Sequence, residues 1–113
     1  MPRFLVAIHR PHGYDPAVAE DDTMRAEIHA LNREMVAAGV RAFVCGLQSP
    51  AKARALRADD GGGVTVTEGL YLDADEHMGG FWVLDVADLE EALAWARKAV
   101  VACRAGVEVR PLH

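Results

Sequence analysis

Four carboxylates and an imidazole fall within ten residues of one another: Glu68, Asp73, Asp75, Glu76 and His77. Crowded carboxylates raise one another's pKa, which is one way to make a general acid or base that works near neutrality. Glu76 and His77 also carry an oxygen and a nitrogen that a metal can take. Neighbours on an extended segment point to opposite sides, so these two are not expected to share a site. The bland alternative is a solvated acidic loop.

Other groups with chemical potential are scattered. His9-x-x-His12 follows the first apolar run, but Pro11 restricts its geometry and no third ligand stands at fixed spacing. Arg57 and Arg110 can each grip a carboxylate or phosphate in bidentate fashion, or pair with an acid such as Glu108 or Glu76. Tyr71 offers a phenolic proton or simple aromatic packing. Cys45 and Cys103 have no cysteine or histidine at metal-site spacing and are expected as buried free thiols. Neither a metal nor a cofactor is expected. Gly61-Gly62-Gly63 lacks the lysine and helix of a phosphate loop, and Ser49 lacks a nucleophile elbow.

The elements that must position these groups follow from pattern. Residues 3–8 read as a strand, ended by His9-Arg10-Pro11-His12-Gly13. Asp15-Pro16 is a helix start. Met24, Ile28, Leu31 and Met35 then make a helical stripe ended at Gly39, with Glu20-Asp21-Asp22 as a point of bending or restart and His29 near the stripe. Val40–Leu47 is a second strand. Ala51–Asp60 reads as helix by propensity alone, Val64–Thr67 as strand, and Glu68–Gly80 as turn-like. Phe81–Val86 is a strand apolar on both faces. Asp88 and Glu91 form a capping pair for a helix whose stripe is Leu89, Leu93, Ala96 and Val100, with Trp95 at its edge. Val107–Leu112 closes the chain as a strand.

That order is α+β: a ferredoxin-like split βαβ with an inserted hairpin, its two helices on one sheet face. The uncovered face predicts a homodimer. At 113 residues one domain over 1–113 is expected. The net charge of −5 disfavours nucleic acid and anionic membrane as partners. Five apolar residues after Met1-Pro2-Arg3 are too few for a signal core or a span, so a cytoplasmic location is expected.

The segment Glu68-Gly69-Leu70-Tyr71, followed by Leu72-Asp73-Ala74-Asp75-Glu76-His77-Met78-Gly79-Gly80-Phe81, resembles the YCII-related family in its DGPF subgroup. That subgroup carries Asp-Gly-Pro-Phe, then Ala-Glu-Thr-Lys-Glu, two residues and Gly-Gly before an aromatic. Gly46-Leu47-Gln48 with Ser49-Pro50 and Arg57, then Glu91-Ala92 with Trp95-Ala96, and Glu108-Val109-Arg110-Pro111 are similar to further family segments. The sequence departs from the motif at Glu68, Leu70, Tyr71 and Asp75; the last replaces the family's lysine.

The resemblance implies the ferredoxin-like fold and a dimeric α/β-barrel-type assembly. It also turns Ala51–Asp60 into a strand paired with Val64–Thr67, which the triple glycine turn suits as a hairpin. It singles out Glu76, which precedes two glycines that either admit a ligand to the backbone or bend the strand in a bulge. Two functions follow. One is a small dimeric enzyme moving a proton on an organic metabolite, with Glu76 as base, His9 as auxiliary acid and Arg57, Glu68, Tyr71 and Arg110 holding substrate. The other is a noncatalytic module that binds a small-molecule ligand or serves dimerisation.

Overall fold

The alternation of Phe4, Val6 and Ile8 becomes β1 (Arg3–Pro11) in the computed structural model, which describes residues 1–113. Asp15 caps a short helix α1 (Pro16–Ala19), and Asp21 caps α2 (Asp22–Ala37) by accepting from the Met24 N–H. The chain breaks between them at Glu20, where the acidic run allowed a restart. Next come β2 (Arg41–Gly46), a single 3₁₀ turn, β3 (Arg54–Ala58), β4 (Val64–Glu68), β5 (Glu76–Asp85), α3 (Leu89–Cys103) and β6 (Gly106–Pro111).

The main sheet has the order β2-β5-β1-β6, and every neighbouring pair is antiparallel. It is two interleaved β–helix–β units, each with a strand of the other between its own two strands. Phe4, Val6, Trp82 and Leu84 form one core with Leu31 and Met35 of α2 and the alanines of α3. Both long helices therefore cover the same sheet face.

Three expectations shift. The strand expected from Phe81 begins at Glu76, because Glu76 to Gly80 find partners on β1 from Pro11 back to Ile8. The buried stripe of α3 is Ala92, Ala96, Ala99 and Cys103 rather than Leu89, Leu93, Ala96 and Val100, a turn of about 60° about the axis. Small residues let that helix approach the sheet, and Leu89 and Val100 are left exposed. The propensity reading of Ala51–Asp60 as helix fails: β3 pairs in register with β4, Leu56 opposite Val66.

The β3–β4 hairpin is a separate ladder that meets the rest of the chain sparsely. Its Leu56, Val64 and Val66 are exposed on one side. The molecule measures 51 × 36 × 18 Å with a radius of gyration of 16.1 Å. A compact chain of this length would have about 13 Å, so the hairpin stands out as an arm. No helix is long and apolar enough to cross a membrane.

Candidate functional site

On a strand, period two decides which side a residue serves. In phase with Phe4, Val6 and Ile8, Arg10 falls on the helix-covered face and is 7% exposed. Opposite it in the β1–β5 ladder stands His77. A cleft of about 590 Å³ opens here between the sheet and the start of α2, with Ile8, Ile28, Val44 and Trp82 among its apolar walls. Its polar lining includes Arg10, Tyr14, Glu20 and His77.

These groups form one network. Arg10 donates from one terminal nitrogen to the Cys103 carbonyl, and its other terminal nitrogen lies 3.7 Å from Glu20 Oε2. The guanidinium sits 4.4 Å over the Tyr14 ring, and the Tyr14 hydroxyl donates to Glu20 Oε2 at 2.7 Å. Burial and the bond to Glu20 push the Tyr14 phenol up to about 12. It therefore stays a donor across the physiological range. Burial also raises the Cys103 thiol. His77 Nδ1 is sealed from solvent and has no hydrogen-bond partner. Behind the wall, Asn32 Oδ1 accepts from Trp82 Nε1 at 2.9 Å and so holds the indole.

The two glycines of β5 make room for this arrangement. A Cβ at Gly79 would stand 2.6 Å from Arg10 Cγ. One at Gly80 would stand 2.9 Å from the Cys45 carbonyl oxygen, where β2 and β5 run close. The β1–β5 register slips here, between Ile8 and His9, so a bulge is present as well.

The residues singled out from sequence lie elsewhere and in three groups. His9 and Glu76 are on the open sheet face, diagonal to each other because His9 pairs with Met78 and Glu76 with Pro11. His9 Nε2 is 3.8 Å from Glu108 Oε1. Arg110 donates to Glu108 Oε2 at 2.6 Å on the same face, and that bond holds the Glu108 carboxyl below its ordinary pKa. Arg57 and Tyr71 meet on the arm: the guanidinium is 3.8 Å from the ring centroid and donates to the Tyr71 carbonyl. Glu68 pairs instead with Arg54 at 3.9 Å. Glu76 and His77 point to opposite faces, as the alternation required, and His9 and His12 are likewise divided, His12 lining the cleft.

The family model of the YCII-related domain matches residues 3–113. The chain belongs to the YCII-related family. It is also similar to an uncharacterised protein of Rhizobium meliloti (strain 1021), with 34% identity over 95 residues, 82% of this chain and 76% of that one.

In this YCII-related chain, sequence reasoning missed Arg10, Tyr14 and Glu20. One signal for Arg10 was available: it continues the alternation of Phe4, Val6 and Ile8 and so had to be buried with a partner. Tyr14 and Glu20 lie in the loop and at the helix break and carry no such phase. Cys103 is buried, whereas Cys45 on the open face is only half-buried.

Proposed function

We propose that this protein binds a small organic molecule in the helix-side cleft, and that it does so as a homodimer of ferredoxin-like subunits in the DGPF subgroup. One observation carries the binding reading. A network of buried Arg10 with half-buried Glu20 and Tyr14 forms one wall of a cleft of about 590 Å³ whose apolar walls include Ile8, Ile28, Val44 and Trp82. Cavities of that size with few convergent polar groups are typical of ligand sites. A metabolite at 100 times its Kd stabilises the folded state by about 2.7 kcal/mol. Ile28→Trp fills the cleft from α2 and should abolish that stabilisation while the fold, checked by circular dichroism, persists. Equal stabilisation of wild type and variant by the same metabolite would sink the reading.

The homodimer is supported by the sheet face that the helices leave bare. Phe43, Phe81, Val83, Met78 and Leu5 lie on that face, and Phe43 is 53% exposed. An apolar face of this kind marks an association surface. Phe43→Glu should convert a dimer to a monomer in sedimentation; a monomeric wild type would refute the assembly.

A second reading keeps proton transfer on the open face. His9 and Glu76 are diagonal neighbours there, and the arm carrying Arg57, Glu68 and Tyr71 meets its own subunit only sparsely. In a dimer built on this face, a partner's arm would bring those residues toward Glu76, His9 and Arg110. Glu76→Gln would then abolish turnover with little change in Tm.

A further inference from the structure

The polar wall of the cleft has a directional pattern of donors and acceptors. A proton on the sealed Nδ1 of His77 would be a buried donor with no acceptor. An unpaired lone pair is the milder defect, since orphaned buried N–H groups are the rarer kind. The neutral ring therefore carries its proton on Nε2, as a donor. Arg10 lies directly across the ladder, with Cβ atoms about 5 Å apart by the geometry of such pairs. One of its five N–H groups is spent on the Cys103 carbonyl. Two donors of different type thus arise from paired positions of the ladder on the same cleft wall, and they suit one oxygen acceptor.

Glu20 supplies the complementary group. Its Oε2 takes the Tyr14 hydroxyl and faces Arg10, while Oε1 has no partner within the protein. Arg10 and Glu20 cancel in charge. A ligand carboxylate would set a second anion against Glu20, whereas a neutral carbonyl meets donors and no like charge. The apolar walls suit an aliphatic or aromatic body.

We propose, building on the cleft as a ligand site, that it enolises a neutral carbonyl compound. Glu20 Oε1 takes a proton from the carbon beside the carbonyl, and His77 Nε2–H and Arg10 hold the oxygen. The C–H bond breaks and its electron pair forms the C=C bond; the carbonyl π pair moves to oxygen as Glu20 gains the proton. The negative charge passes from Glu20 to the enolate and remains beside Arg10, so the cluster gains no net charge. Return of the proton to the same carbon gives exchange, and return to a conjugated carbon gives isomerisation. Glu20 is regenerated either way, and no co-reactant is consumed. The Tyr14 phenol, kept protonated, holds the Glu20 carboxylate in place.

The test uses 2-indanone and 3-cyclohexenone in D₂O. Exchange and isomerisation are followed by proton NMR, and binding by saturation transfer in the same samples. Exchange above the buffer rate is expected, falling about 100-fold or more in Glu20→Gln and less in His77→Gln, with binding retained in both. Glu20→Gln keeps an oxygen for Tyr14, and circular dichroism checks its fold; should it unfold, His77→Gln alone must still lower the rate. Binding without exchange overturns the enolisation and leaves the ligand site standing. Unchanged rates in both variants overturn it too. Absence of binding by these ketones overturns the carbonyl class, and a cleft that takes no metabolite in the Ile28→Trp comparison removes the site itself.

Discussion

Gly79→Ala tests whether the glycine pair exists to seat Arg10. The added Cβ would lie 2.6 Å from Arg10 Cγ and 3.6 Å from its Cβ, so the arginine must leave its place. Cγ is the root of the side chain, not a free end, and Arg10 is clamped by Cys103, Glu20 and Tyr14. Displacing it forfeits a hydrogen bond from a charged donor, worth about 1.5–3 kcal/mol. Alanine returns about 0.4–1 kcal/mol by restricting the unfolded chain, because Gly79 is not in the left-handed region. The net loss is roughly 1–2 kcal/mol, a fall in Tm on the order of 5–15 °C. Urea denaturation measures it directly. In an Arg10→Met background the obstacle is gone, and Gly79→Ala should become neutral or slightly stabilising. A wild-type-like Gly79→Ala protein, or an equal cost in both backgrounds, would refute the argument.

Further expectations concern the cleft's supports. Asn32→Leu leaves the Trp82 N–H buried without an acceptor and should cost about 1–3 kcal/mol in chemical denaturation. Gly80→Ala meets backbone of β2 rather than a side chain and should cost more than Gly79→Ala in the same assay. Tyr14, with its phenol raised to about 12, should ionise well above the ordinary tyrosine range in an ultraviolet titration. The folded state then holds a proton that the unfolded chain has lost, so this contribution is complete below about pH 10 and is lost as pH rises toward 12. In Tyr14→Phe that alkaline loss should shrink.

Much of the fold was legible because it is encoded over a few residues. The caps at Asp15-Pro16 and Asp88, the restart at Glu20-Asp21-Asp22, the Met24–Met35 stripe and the alternation of β1 are local instructions, and each is obeyed. Where local signals failed, packing chose differently. Leu89 and Val100 outrank alanine in hydrophobicity, yet the sheet accepts the alanine face of α3 because closeness matters more there than side-chain size. Arg54–Ala58 is alanine-rich enough for a helix but is held extended by Val64–Glu68.

The candidate site was much less legible, and the reason is distance along the chain. The sequence by itself determined which residues face which side of β1, and that Glu76 and His77, as neighbours on an extended segment, part company; the bulge at Gly79 then decided that His77 rather than Glu76 turns to the helix side. Only the tertiary structure decided what each side meets. Pairing of β1 with β5 sets Arg10 against His77, and the return of α3 lays the Cys103 carbonyl, 93 residues further on, against the same guanidinium. A charge can be buried only where partners converge. Those partners come from a strand, a loop, a helix break and a helix end, and no local window of sequence contains them together.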